Sequence, residues 1–133
     1  MAAKLKYAFL CDGAMLVHGK WTYQGIFSVI NCVAFPSVQR EAVLGLQFIG
    51  PVGPHALRLQ FVDSKGKQIT PEMRQPIECR EFMDTTVTAN LQGLPLPSEG
   101  FYSFKIFLDE EREPFGIVEF RANLVRPNAP PPE

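Results

Sequence analysis

The chain has 133 residues, of which 46% are hydrophobic and 20% are charged, and its formal net charge is −1. This composition fits one globular domain with a complete hydrophobic core. The near-neutral charge provides no general attraction to nucleic acid or anionic lipid, so we expect neither as a partner.

Short apolar runs between twelve prolines and ten glycines predict an all-β fold. The first strand is predicted at residues 4–11, where apolar side chains alternate along the chain. Asp12-Gly13 can turn the chain after it, with residues 14–17 as a short second piece of strand. The apolar run before this turn is shorter than a signal peptide requires, and no stretch approaches the about 20 apolar residues of a membrane span. We therefore predict a cytoplasmic protein that does not bind a membrane.

Residues 21–34 are rich in β-branched and aromatic residues and predict one long strand, preceded by a turn at residues 18–20. Gly25 in its interior indicates a bulge or a close backbone approach. Trp21 and Tyr23 lie on one face of this strand. An exposed aromatic pair would suit stacking on a sugar or a peptide, and packing in the core or an interface is the alternative.

Residues 42–49 and 56–62 predict two further strands, because large apolar side chains occupy alternate positions in each. Residues 63–66 form a strong turn signal. The segment 71–84 contains two prolines, which discourage a central strand. We expect an edge segment or an irregular crossing there.

Residues 85–91 predict another strand, followed by a proline-rich corner at residues 94–99. Residues 100–109 show the clearest alternation in the chain and are predicted to be the centre of the fold. A closing strand is predicted at residues 116–125. The inward face of the central strand carries four large side chains: Tyr102, Phe104, Ile106 and Leu108.

About eight strands with turns every eight to twelve residues are typical of an antiparallel β-sandwich. We predict one sandwich domain in residues 1–126. The proline-rich residues 127–133 favour an extended C-terminal tail.

The three cysteines, Cys11, Cys32 and Cys79, are widely spaced and lack a C-x-x-C motif. This pattern is neither a disulfide framework nor a zinc site. Three buried free thiols are the favoured interpretation, which indicates a reducing compartment, and a single disulfide is the alternative.

No sequence motif for catalysis or phosphate binding occurs, so we predict no enzyme activity and no cofactor. His18 and His55 are expected at turns or on the surface, because metal binding would need further converging ligands. Turn capping is favoured over calcium binding for the four aspartates at predicted strand ends. These are Asp12, Asp63, Asp84 and Asp109.

The stretch from Ser98 to Phe104 resembles the E–F corner of an immunoglobulin-type sandwich, in which a tyrosine hydroxyl bonds back to the corner backbone. Gly100 and Tyr102 match that pattern. Phe104 stands where the immunoglobulin cysteine would be. The resemblance therefore implies an immunoglobulin-like sandwich held by aromatic packing instead of a disulfide.

The whole chain is also similar to a bacterial family of small all-β proteins whose function is unassigned. The resemblance covers nearly the full chain and implies no catalytic residues. The matching pieces are Tyr7-Ala8-Phe9-Leu10-Cys11-Asp12, Gly25-Ile26-Phe27, the strand from Gly53 to Asp63 with its Asp-x-x-Gly end, Leu94-Pro95-Leu96-Pro97 and Gly100-Phe101-Tyr102-Ser103-Phe104.

These observations predict a non-enzymatic module that binds a protein partner or associates with itself, since the edges of antiparallel sheets invite pairing. The alternative is a module that binds a small molecule or carbohydrate through Trp21 and Tyr23. Structural roles are predicted for Gly25, Gly100 and the two aromatic residues of the central strand.

Overall fold

The computed structural model describes residues 3–125, and these residues form nine strands in two sheets. The all-β prediction is confirmed, with one strand more than expected. The strands are β1 (Lys4–Val17), β2 (Lys20–Phe27), β3 (Val29–Cys32), β4 (Ser37–Ile49), β5 (Gly53–Asp63), β6 (Met73–Cys79), β7 (Thr85–Leu96), β8 (Gly100–Leu108) and β9 (Gly116–Leu124). The tail predicted for residues 127–133 lies outside the described residues.

The first sheet has the strand order β2-β1-β4-β7 and is antiparallel throughout. The second sheet has the order β3-β9-β8-β5-β6, so the strand with the clearest alternation, β8, is its central strand. β6 pairs with β5 at the edge, which confirms the edge segment predicted within residues 71–84. β3 pairs in parallel with β9, and a purely antiparallel sandwich is therefore wrong at this edge. The described part of the chain contains no helix that is long and apolar enough to cross a membrane.

The single strand predicted for residues 21–34 is wrong. β2 ends at Phe27, and β3 begins at Val29 in the other sheet. At the crossing, the Ser28 carbonyl accepts a hydrogen bond from the Arg121 N–H at 2.9 Å. Both strands are rich in β-branched and aromatic residues, so the composition gives no sign of the change of sheet.

The turn predicted at Asp12-Gly13 is also wrong, because β1 continues to Val17. The turn predicted at residues 18–20 is confirmed: the hairpin turn lies at His18 and Gly19, whose φ angles of 50° and 75° suit a two-residue turn. The pairing of β1 with β2 keeps one register on both sides of Gly25, so no bulge occurs there. Gly25 instead has a φ of 69°, and the Asp12 side chain fills the space that a β-carbon would need.

The inner face of the five-stranded sheet carries a layer of aromatic rings. The Phe61 ring stacks on Tyr102, Phe104 and Phe120, with ring centroids 5.5, 4.8 and 6.0 Å apart. The three phenylalanines are fully buried. The four-stranded sheet packs against them mainly with leucines: Leu10, Leu44, Leu46, Leu91, Leu94 and Leu96.

The corner before β8 is held by the Tyr102 hydroxyl. This hydroxyl accepts a hydrogen bond from the Ser98 N–H at 3.1 Å and donates to the Ser98 carbonyl. Gly100 lies between them with a φ of 145°, a backbone conformation that favours glycine. The three cysteines are buried and free, so the sheets are joined without a disulfide.

Truncation of Phe104 to alanine should lower the free energy of unfolding by about 3–5 kcal/mol, because it removes a ring from the centre of this layer. Tyr102→Phe should cost about 0.5–1.5 kcal/mol, since the Ser98 backbone N–H and carbonyl would lose their hydrogen bonds to the hydroxyl. Chemical denaturation of each variant measures both changes.

Phe101→Ala is the matched control, because Phe101 lies on the same strand but is 45% exposed. Its denaturation midpoint should change much less than that of Phe104→Ala. Equal effects at the two positions would contradict the assignment of the aromatic layer as the core.

Candidate functional site

Four aromatic side chains on β1 and β2 form a continuous group outside the sandwich core, the aromatic cluster. Tyr7 stacks on Phe9 at 5.5 Å, Phe9 meets Tyr23 edge-on at 4.7 Å, and Tyr23 stacks on Trp21 at 6.3 Å. The structure thus joins the predicted pair, Trp21 and Tyr23, to two rings that the sequence interpretation missed. The register of β1 shifts between Leu5 and Tyr7, so Leu5 packs against the core whereas Tyr7 and Phe9 do not.

Tyr23 crosses the outer face of the four-stranded sheet. A β-carbon on Gly45 of β4 would come within 2.9 Å of Tyr23 Cε1, and the Tyr23 hydroxyl lies 3.1 Å from Thr88 Oγ1 on β7. β2 and β7 are the two outer strands of this sheet, about 14 Å apart if it were flat, so the sheet curls around the ring. Burial and the neighbouring Tyr23 hydroxyl raise the pKa of Tyr7. Trp21, which is 41% exposed, is the more accessible member of the predicted pair.

β7 is an open edge. Within residues 3–125 it pairs only with β4, and none of its twelve residues is charged. Natural edge strands usually carry charges or prolines, or are short, because such features prevent pairing with other chains. β6 has seven residues and includes Arg74, Pro76 and Glu78, and β3 has four residues. β2, the other edge of the four-stranded sheet, begins with Lys20, and the single proline of β7 is Pro95 near its end. Residues 85–94 of β7 are therefore the longest stretch of edge strand without a charge or a proline in the described chain.

A groove of about 410 Å³ opens between the start of β6 and the second half of β7. We call it the β7 groove. Its lining is largely apolar, and a second cavity of about 270 Å³ continues from it along β5. The apolar side chains that line the β7 groove are Pro71, Met73, Leu91, Leu94 and Pro95.

The loop between β6 and β7 carries an exposed phenylalanine. Phe82 is 98% exposed and has a φ of 59°, and the adjacent Met83 is 56% exposed. A positive φ is uncommon for a bulky residue, so neither burial nor backbone preference accounts for phenylalanine at this position. The Lys6–Asp84 ion pair, at 2.9 Å, ties the end of the loop to β1.

His55 lies between two hydrogen-bond acceptors. Its Nδ1 is 2.6 Å from the Asp109 carboxylate, and its Nε2 is 2.6 Å from the Pro51 carbonyl oxygen. Only the doubly protonated imidazolium can donate to both. The hydrogen bond to Asp109 raises the pKa of His55, and the Ala56 N–H and His55 together lower the pKa of Asp109. The side chain of His55 is mostly buried and organises a loop.

The other titratable residues singled out in the sequence lie away from His55 and from one another. His18 is in the β1–β2 turn, and Asp63 accepts hydrogen bonds from the Lys65 and Lys67 N–H groups at 2.9 Å, as a turn cap does. Asp84 pairs with Lys6. In the described ranges, no three His, Cys, Asp or Glu side chains form a group that could hold a metal ion.

His55 should make stability depend on pH. Because its pKa is raised in the folded state, its contribution is fully present below about pH 6.5 and is lost as the pH rises through the raised value. Denaturation between pH 5 and 9 should show this loss, because the lowered pKa of the neighbouring Asp109 keeps its carboxylate ionised over this range. His55→Gln should remove the dependence, and His18→Gln should retain it. If His55→Gln has the same pH profile of stability as the wild type, a protonated His55 is excluded as the cause of the pH dependence.

The comparisons with known proteins bear on the family and the fold. The family model for a family of unknown function (DUF6941) matches residues 6–115, which include most of β1 and all of β2 to β8. This confirms the resemblance to an all-β family without an assigned function. No curated protein matches the chain. Among solved structures, the fold is similar to the Pseudomonas fluorescens alkylpurine DNA glycosylase AlkC bound to DNA containing an abasic site analog.

The similarity to the glycosylase has a TM-score of 0.52 at 11% sequence identity, so it concerns the fold alone. The match covers 92% of this chain and 31% of the glycosylase chain, and this chain thus corresponds to less than a third of that protein. The match to the family model, in contrast, extends over most of the sequence. The chain belongs to the family of unknown function DUF6941.

Proposed function

We propose that this protein is a non-enzymatic interaction module that binds an extended segment of a partner protein by pairing it with β7. The observation that carries this proposal is the open, uncharged, twelve-residue edge. An open edge offers a row of backbone N–H and C=O groups, and strand addition uses such groups for affinity and neighbouring pockets for specificity.

The β7 groove provides such a pocket. Side chains of a strand alternate between the two faces of a sheet, so every second residue of a segment paired with β7 would point towards the groove. Met73, Leu94 and Pro95 line it, and apolar side chains would therefore be preferred at those positions.

A protein partner is favoured over nucleic acid. The net charge is −1, and the two arginines nearest the groove, Arg58 and Arg74, each lie 2.9 Å from Glu72. Arg58 and Gln60 lower the pKa of Glu72 to about 2, so its carboxylate remains ionised. Together with Glu110, which lies 3.2 Å from Arg74, it balances the charge of the two arginines. We therefore do not propose that this chain binds DNA as the glycosylase does.

We propose no catalytic role, because His55 has both ring nitrogens engaged and the three thiols are buried. Buried free thiols support a reducing compartment, and the resemblance to a bacterial family supports the bacterial cytoplasm. The Tyr102 hydrogen bonds to Ser98 support an immunoglobulin-like classification of the sandwich.

Panning a library of random linear peptides against the full chain tests the β7 edge. The matched variants are Asn90→Lys with Gln92→Lys on β7, and Thr22→Lys with Gln24→Lys on β2, because all four residues are exposed on outer strands of one sheet. Charges on an edge oppose pairing, so selected peptides should bind the β7 variant at least about tenfold more weakly and the β2 variant with unchanged affinity.

Hydrogen exchange of the peptide complex should show added protection of β7 amides. Peptides that bind the β7 variant as tightly as the wild type, or that protect a different strand, would overturn the proposal. Failure to select any peptide at millimolar affinity or better would do the same.

The second candidate function is carbohydrate binding, which is supported by the accessible Trp21 ring stacked on Tyr23. Trp21 is the single tryptophan of the chain, so its fluorescence reports directly on this surface. A sugar that binds should produce a saturable shift, and calorimetry should show no binding of that sugar to Trp21→Ala. If a panel of mono- and oligosaccharides leaves the emission unchanged, this candidate is excluded.

A further inference from the structure

Two features beside β7 are complementary to each other. Phe82 protrudes from the loop immediately before β7, and the β7 groove lies beside the second half of the same strand. A phenylalanine ring buries about 150–250 Å² when it enters a pocket, and the groove of about 410 Å³ is large enough to receive it. Within one chain the protrusion and the groove lie at opposite ends of β7.

We propose that the segment bound by β7 is β7 of a second copy of this chain, so that the protein forms a symmetric dimer. This inference rests on the proposed function of the β7 edge. The two copies of β7 pair antiparallel about a two-fold axis and join the four-stranded sheets into one sheet of eight strands. Such an interface is isologous, and each copy contributes the same surface.

The regular part of β7 defines where the axis lies. The loop that carries Phe82 precedes Thr85, and Gly93 has a φ of 66°, so the segment that can pair regularly is residues 85–92. Directly opposed side chains of an antiparallel pair lie on the same face of the sheet, so the axis passes through one residue position, which we place at Thr88 near the middle of this segment. About this axis, Thr86 of one copy lies opposite Asn90 of the other, and Phe82 comes opposite Leu94.

This register brings Phe82 of one copy to the β7 groove of the other. In the direction of the pairing, the loop with Phe82 of one copy continues past Gln92 of the other copy, towards Leu94 and Pro95, which line that copy's β7 groove. The symmetry repeats the contact at the other end of the interface. Each exposed phenylalanine is thereby buried by the second chain.

The charge distribution fits self-pairing. A two-fold axis places a segment against itself, so any charge on β7 would approach its own copy and repel it. The chain as a whole is 20% charged, whereas β7 has no charged residue. A linear peptide could also use an uncharged edge, but it would provide no groove for Phe82.

Sedimentation equilibrium of the full chain over a range of concentrations tests the dimer. We expect a monomer–dimer equilibrium that Phe82→Ala weakens at least about tenfold, as expected for an aromatic anchor. The Phe82→Ala monomer should unfold at no lower denaturant concentration than the wild type, because the ring is exposed. Phe101→Ala, the matched exposed phenylalanine on β8, should leave the dimer unchanged.

A disulfide crosslink tests the register. Paired residues on antiparallel strands have Cα atoms about 4.5–5.5 Å apart, which suits a disulfide. Under mild oxidation, a mixture of Thr86→Cys and Asn90→Cys chains should form a crosslinked heterodimer, and neither variant alone should crosslink.

The outcomes separate this inference from the proposed function. A wild type that is monomeric at all concentrations, or a dimer that Phe82→Ala leaves unchanged, overturns the dimer. If selected peptides still distinguish the wild type from the β7 variant in that case, the edge remains a binding site for other proteins. If the dimer forms but Asn90→Lys with Gln92→Lys does not weaken it, the dimer does not pair through β7. The proposed role of the β7 edge as a binding site then fails as well.

Discussion

The stacked rings of Phe61, Phe104 and Phe120 are the interaction on which the two sheets depend. They come from the adjacent strands β5, β8 and β9 and are fully buried. Phe61 lies directly opposite Phe104, so the same contact that fills the core also sets the register of β8 against β5. Aromatic packing therefore joins the sheets without a disulfide. The Tyr102 hydroxyl, on the same strand as Phe104, hydrogen-bonds to the corner backbone at Ser98.

Local alternation predicts strands well where one strand stays in one environment, as β8 does. It does not tell to which sheet a strand belongs. Residues 21–34 show the limit: β2 and β3 have similar compositions, yet the chain changes sheet at Ser28 and then runs parallel to β9. The turn expected at Asp12-Gly13 fails for the opposite reason, since a turn-favouring pair can lie within a long strand when both of its neighbours pair. The edge position of β6 was predictable, because proline limits where a strand can pair.

The surfaces around the fold were predictable only in part. The pairing of Trp21 with Tyr23 follows from their spacing, but the inclusion of Phe9 depends on a register shift that alternation does not show. The sequence gives no sign that the Tyr23 ring covers Gly45. The open edge at β7 could not be predicted either, since strand order is set by contacts between distant segments. Phe82 lay in the segment where the sequence pattern was weakest.

The β7 edge departs from local stability rules twice, and both departures concern the same surface. Charged residues at the exposed positions Asn90 and Gln92 would protect the edge from other chains without disturbing the core. A glycine at position 82 would suit the left-handed backbone and would expose no ring. A chain selected only to be a stable monomer would gain from both changes. Natural sequences depart from such rules mainly at functional sites, so both departures support the proposed pairing of β7 with a second chain.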